Sequence, residues 1–317
     1  MLSRIGNYLF WLGRYIERAE HISRFARVQF IASVDMPMTH RKEFALRSTM
    51  GMAGFSPEVT EEMTQGQACE EDVFYRLFLS PSEPISVLST ITLIRENARG
   101  ARDALSTELW EAINKFYHYF RQYPATQLRA EGPFYLSRSM DDYIAIIKGY
   151  IDNSLIHNGG WGMITMGMHL ERSIQITRIL ETKCRDIRQL REEHLPGVAI
   201  TSQVGALLRS AEAFDMSRRY YRSLPTLNDA LDFLLLNEHF PKSARFNLHH
   251  ANLRLQGLSL GSVTQRSSPE FGLSRLASDF SYLSVDDIAP DPEQFCKQSL
   301  GRMYDICQRI EQDYLSI

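Results

Sequence analysis

Apolar residues across the first 34 positions recur at the 3.6-residue spacing of a helix, yet they cover more than one face. With Leu12 placed at 0° and about 100° per residue, Ile5, Leu9, Ile16, Ala19, Ser23, Ala26 and Phe30 fall within about 60° of it. Phe10, Phe25 and Val28 stand on the other side, interleaved with Arg14, Glu17, Arg18, His21 and Arg24. A helix apolar on two sides is a buried helix, and charges carried into a core must be paired or put to use.

The same period runs through 85–121, 134–155, 161–194, 200–223, 226–236 and 292–315. Twelve prolines punctuate the chain, and Pro84, Pro133 and Pro225 each stand just ahead of a periodic run, where helices start. Asn158-Gly159-Gly160 reads as the turn between two of these runs. No stretch alternates strictly between apolar and polar residues around a hairpin turn. The pattern predicts an all-α helical bundle forming one domain over 1–317, with loops and short helices over 36–68 and 257–291.

One dipeptide occurs twice in comparable surroundings. Setting Glu17-Arg18 on Glu171-Arg172 also sets Gly13 on Gly167, Ile16 on Leu170, Ile22 on Ile176 and Arg24 on Arg178. This match predicts an internal duplication of a helical unit, with halves of about 1–130 and 131–317. Arg14 then faces Met168 and Glu20 faces Ile174, so the second copy is the less charged one. Each copy is expected to be followed by a helix with an inward carboxylate, Glu96 in the first and Glu212 in the second.

Composition narrows the function classes. A net charge of -3 gives no basic footprint for nucleic acid. The 29 arginines against 6 lysines suit planar pairing with carboxylates or phosphates. Cys69, Cys184, Cys296 and Cys307 show no Cys-x-x-Cys spacing and read as free thiols of a reducing compartment. The absence of a leader-like start and of a bilayer-length apolar run predicts a cytoplasmic protein off the membrane.

The candidate chemistry is charge. Glu17, Arg18, Glu171 and Arg172 make either an ion-pair network holding helices in register or a pocket in which Glu17 or Glu171 is a general acid/base. Arg14 lies one turn from Arg18, and Glu17 one turn from His21. Arg95, Arg99 and Arg102, with Glu96, form a second cluster along one helical stripe. They either face an anionic substrate or pair with Glu17, Glu171 and Glu212. No metal and no cofactor is expected. A di-iron bundle wants Glu-x-x-His, whereas Glu17 and His21 are four apart and Glu171 has Gln175 at that place. No Gly-x-Ser-x-Gly is present, and Gly159-Gly160-Trp161-Gly162 lacks the Lys-Ser/Thr of a phosphate loop. The aromatic run from Trp110 to Tyr123 reads as core with a partner-facing edge.

Taken together, several stretches resemble the alpha-E domain family, helical domains of unknown function named for an ER motif. They are Met1-Leu2-Ser3-Arg4, Trp11 through Glu20, Arg95-Glu96-Asn97-Ala98-Arg99 with Arg102-Asp103, Gly167 through Arg172, Ser210-Ala211-Glu212, and Phe233 through Ser243. Two positions depart from the family pattern. Met168 stands where arginine is usual before the second Glu-Arg, and Pro241-Lys242-Ser243 replaces Pro-Arg-Ser. The resemblance implies a bacterial cytoplasmic protein whose relatives are encoded beside, or fused to, circularly permuted ATP-grasp ligases. Transglutaminase-like proteins and a proteasome-like peptidase are further neighbours it implies. The expected role is that of an accessory or partner protein in making or handling a peptide-like product. Arg14, Arg18, Arg95, Glu96, Arg99, Arg102, Arg172 and Glu212 are the candidate substrate contacts. The alternatives are an enzyme in its own right and a structural helical adaptor.

Overall fold

The periodic runs are all helical, and helices also form where the period fails. The computed structural model describes residues 3–34, 41–65, 70–258 and 265–315. Helix α1 (Ser3–Val34) is followed by α2 (Arg41–Ala53), α3 (Pro57–Gln65) and α4 (Glu70–Phe78). Then come α5 (Val87–Gly100), α6 (Thr107–Arg121), α7 (Ala125–Glu131) and α8 (Phe134–Ser154). A second series holds α9 (Gly159–Glu192), α10 (Gly197–Ser210), α11 (Phe214–Tyr221) and α12 (Leu227–Leu231). It continues through α13 (Ala244–Leu258), α14 (Pro269–Tyr282), α15 (Val285–Ile288) and α16 (Pro292–Ile310). π-helical turns carry α12 on to Leu236 and α16 on to Leu315. The described residues contain no strand, and none of their helices is long and apolar enough to cross a membrane.

The two longest helices, α1 and α9, cross at the centre. Their crossing is set by glycine. A Cβ on Gly13 would stand 2.1 Å from the Ile164 carbonyl oxygen, and one on Gly167 would stand 2.2 Å from that of Phe10. Position 10 corresponds to 164 just as 13 corresponds to 167, so the two contacts are equivalent under exchange of the helices. Backbone meets backbone here, and only glycine leaves room for it.

Other helices pack on this pair in matching order. Helix α5 lies on α1 as α13 lies on α9, and α8 lies on α1 as α16 lies on α9. Helix α6 joins α5 to α8 as α14 joins α13 to α16, and α2 reaches α9 as α10 reaches α1. The helix starts match too. Ser86 Oγ caps α5 by accepting the Ser89 N–H and donates to the Ser80 carbonyl at 2.7 Å. Ser243 Oγ accepts the Phe246 N–H at 3.1 Å and donates to the Asn237 carbonyl, again six residues back.

Helix α8 packs on α1 and α6, so the first series continues to residue 154. Helix α10, beyond which an inward Glu212 was expected, ends at Ser210, and Glu212 stands in the following turn with its side chain 47% exposed, as Glu96 on α5 is 37% exposed. Local breaks have simple causes. The 85–121 run is split where Ser106 caps α6 by accepting the Leu109 N–H, and the 200–223 run where Glu212 takes a left-handed backbone, φ 52°. Helix α2 escaped the period because it buries Ser48 and Thr49 beside Leu46 and Met50. Met1, Leu2 and Cys69 lie outside the described residues.

Candidate functional site

Helix α1 places Arg14, Glu17 and Arg18 on successive turns beside the crossing, and α9 places Glu171 and Arg172 opposite them. The two Glu-Arg motifs bind each other crosswise. The Glu171 carboxylate accepts from Arg18 Nε at 2.7 Å and Nη2 at 3.2 Å. The Glu17 carboxylate accepts from Arg172 Nε at 3.0 Å and Nη2 at 2.5 Å. Both glutamates are fully buried. Each is therefore held by a planar fork from the partner helix, the strongest geometry available to a carboxylate.

The surroundings of the two forks differ. Glu171 also accepts from Arg14 Nε and from Gln175 Nε2, each at 2.8 Å, which fills its remaining lone pairs. Arg14 in turn lies over the Trp11 ring, 4.7 Å from its centroid. Glu17 instead draws in Lys148 of α8 at 2.7 Å. Lys148 continues to Glu20, which also meets Arg24 at 2.8 Å and Lys242 at 3.1 Å. Glu212 joins Lys242 and meets Arg24 at 2.8 Å, and Arg24 reaches Asp141 at 2.7 Å. The Glu17 end is thus the root of a network that runs to the surface.

Proton affinities follow. Burial alone would raise the Glu17 carboxyl, but the Arg172 and Lys148 charges carry it well below the usual range. The same contest at Glu171 is won by Arg18 and Arg14. Burial lowers His21 to about 4, against the pull of Glu20 and Glu17, so it is neutral. His21 Nδ1 donates to the Glu17 carbonyl at 2.8 Å, which leaves Nε2 as a lone pair with no partner among the described residues. Atoms of Glu17, Glu20 and His21 lie within 4.8 Å of one another, close enough to share a metal ion. Arg172, Lys148, Lys242 and Arg24 already occupy both carboxylates, so a divalent cation there would meet four positive charges.

The arginine cluster predicted along one helical stripe stands apart from this centre, and it is broken, because α5 ends at Gly100 and Arg102 opens a separate 3-10 turn over Arg102–Ala104. Arg95 donates to Asn114 at 2.8 Å and covers the Tyr117 ring. Arg99 pairs with Glu96 on the same helix, and Arg102 donates to the Leu105 carbonyl beside Trp110. Glu17 and Glu171 are not their partners, and Glu212 belongs to Arg24 and Lys242. The structure therefore unites Arg14, Glu17, Arg18, Glu171, Arg172 and Glu212 in one region and leaves Arg95, Glu96, Arg99 and Arg102 outside it.

Sequence reasoning missed Lys148, which carries no motif of its own, and gave no role to Lys242, the lysine of Pro241-Lys242-Ser243. It also missed a second buried polar group. Lys183 is fully buried and donates to Asp186 at 2.9 Å and to Gln203 at 2.8 Å. The i, i+3 spacing of Lys183 and Asp186 was the available signal. Among the described residues the cysteines offer no ready nucleophile, since burial pushes Cys184 up to about 12 and Cys307 up to about 11 and also raises Cys296.

Comparison with known proteins places this geometry. A family model described as a predicted alpha-helical domain with a conserved ER motif matches residues 1–315. Uncharacterised proteins of Mycobacterium bovis and Mycobacterium tuberculosis are similar, at 22% identity over 277 residues. The match covers 83% of this chain and 30% of each relative, so the chain spans under a third of their length. No solved structure matches.

Proposed function

The chain belongs to the Alpha-E family, and from that premise we propose that it is a helical accessory module whose two ER motifs act as a cross-brace rather than as a reaction centre. The observation carrying this reading is the filled coordination of Glu171, where four donors from three side chains occupy the carboxylate. Such a group has no proton to give at neutral pH and no free lone pair with which to take one. Glu17 is likewise engaged by a fork and an ammonium group. The matching order of packing in the two helical series supports a duplicated unit braced at its own symmetry point.

The partner in this reading is an ATP-grasp-type ligase or a transglutaminase-like protein of the cytoplasm that makes or handles a peptide-like product. Support comes from the mycobacterial relatives, in which the matched part is 30% of a longer polypeptide. A domain carried beside other sequence in one chain is suited to work with it.

The test is reconstitution with a purified ATP-grasp-type ligase. The chain alone should turn over no ATP, and adding it should raise acceptor-dependent turnover until the two proteins are stoichiometric. Glu17→Gln, which keeps the size and one acceptor, should retain the stimulation in proportion to its folded fraction. A ligase indifferent to the chain overturns the reading. So does turnover by the chain alone that Glu17→Gln abolishes while the fold persists.

A further inference from the structure

A cleft of about 590 Å³ opens between α2 and α9, away from the ER brace. Its floor is the buried Lys183 group. Lys183 Nζ and Ser48 Oγ both donate to Asp186 Oδ2, at 2.9 and 2.7 Å, so the floor is fixed and its charges are matched. Phe44 and Phe55 line the cleft, and the Phe44 ring also receives the Lys183 ammonium at 5.9 Å.

The wall from α9 is unusual. Glu181 and Arg185 are one turn apart, the spacing at which a glutamate and a following basic residue ordinarily pair. They do not pair, and neither has another partner among the described residues, though both are half-buried and line the cleft. Arg185 instead lies against Gly51 of α2, where an added Cβ would stand 3.1 Å from its Nη2. A half-buried guanidinium and a half-buried carboxylate, both unpaired in one cleft, forgo hydration without gaining each other.

We propose that this cleft binds a zwitterionic amino acid or short peptide. Arg185 takes the ligand carboxylate in its fork, Glu181 takes the ammonium, and Phe44 with Phe55 holds an apolar side chain. The cavity lies in the size range of small-molecule sites. The site shares no residue with the ER brace, so its failure would leave the accessory reading untouched.

Alanyl-phenylalanine is the probe, titrated calorimetrically into the chain beside its N-acetyl form and its C-terminal amide. The free dipeptide should bind, and each blocked form should bind about tenfold or more weakly, the effect of losing one charge-assisted contact. Arg185→Gln should abolish the difference between acid and amide, and Glu181→Gln the difference between amine and N-acetyl. Gly51→Ala should keep or raise the melting temperature yet weaken the dipeptide, because its methyl group displaces the guanidinium. Melting curves of each variant control for folding. No binding of the free dipeptide overturns the proposal, as do equal affinities for acid and amide. Acetate binding as tightly as the dipeptide also overturns it, since that would make the cleft a plain anion site.

Discussion

The two ends of the ER brace are built from the same dipeptide at equivalent positions, yet one is closed and the other open. At the Glu171 end the carboxylate is filled by side chains of the two crossing helices alone, and beyond them Arg14 meets only Glu311 among the described residues, at 3.5 Å, while Arg18 is 29% exposed. At the Glu17 end the network passes through Lys148, 20% exposed, to Glu212, 47% exposed. Three exchanges produce the difference. Met168 stands in place of Arg14, so Glu17 lacks a second arginine and recruits Lys148 from α8. Ile174 stands in place of Glu20, so nothing on α9 extends a network outward. Gln175 stands in place of His21 and donates to its carboxylate, whereas His21 donates to a backbone carbonyl. The crossing fixes which glutamate meets which arginine, and the neighbouring turns decide how far the network around each pair extends.

Truncation should expose the inequality. Glu171→Ala leaves Arg18 without its acceptor and Arg14 with only Glu311, at 3.5 Å, and urea melts should show a loss of about 3–5 kcal/mol. Glu17→Ala should cost about 1–2 kcal/mol less, because Lys148 keeps Glu20 and reaches water. Equal losses, or a larger one at Glu17, would break the distinction between a closed and an open end.

The glycines at the crossing should behave alike where the glutamates do not. Gly13→Ala and Gly167→Ala each drive a Cβ into a backbone carbonyl, at 2.1 and 2.2 Å in the present geometry. Each should cost about 2–3 kcal/mol by overpacking, with the two values agreeing within about 0.5 kcal/mol. A clear difference between them would mean that the crossing itself is asymmetric.

Acid should weaken the open end first. His21 is lowered by burial to about 4 and His169 to about 3, and both belong to the surroundings of Glu17 and Arg172. Their pKa values are depressed in the fold, so the unfolded chain takes protons first and stability falls as pH drops below 6.5. At about 1.4 kcal/mol per pH unit, each histidine accounts for about 2 kcal/mol between pH 6.5 and 5. Glu171 starts to lose its share only near 4.5, its ordinary value, so its fork does not contribute across this interval, to which His250, also lowered by burial, adds a share. Denaturant midpoints across the interval should therefore fall in the wild type and flatten in His21→Gln and His169→Gln. A flat wild-type profile would place these imidazoles in contact with water.

Much of this arrangement was legible in the sequence, because helical period and an apolar surround identify a buried charged helix whatever its neighbours are. The correspondence of Gly13 with Gly167 and of Glu17 with Glu171 followed from alignment of the chain with itself, but not that each glutamate takes the arginine of the other helix. What escaped were contacts made by residues without a pattern. Lys148 sits on an ordinary amphipathic helix, and nothing in its flanks says that it points at Glu17. The arginines of α5 failed in the opposite way. Their stripe is regular, but regularity on one helix does not tell which neighbour it faces, and Asn114 and Tyr117 of α6 proved to be the answer for Arg95.

That stripe supplies the smallest expected effect. The Arg99 side chain is 66% exposed and its partner Glu96 is 37% exposed, so water solvates both charges whether or not they meet. An exposed i, i+3 pair gains little Coulomb energy and loses side-chain entropy in forming. Arg99→Ala should change stability by no more than about 0.5 kcal/mol, against several for the buried glutamates. The same variant in Glu171→Ala should add its small effect independently, since the two sites share no partner. A loss above about 1 kcal/mol, or strong coupling to Glu171→Ala, would mean that the α5 arginines reach the central brace after all, and the boundary drawn around that brace would have to be moved outward.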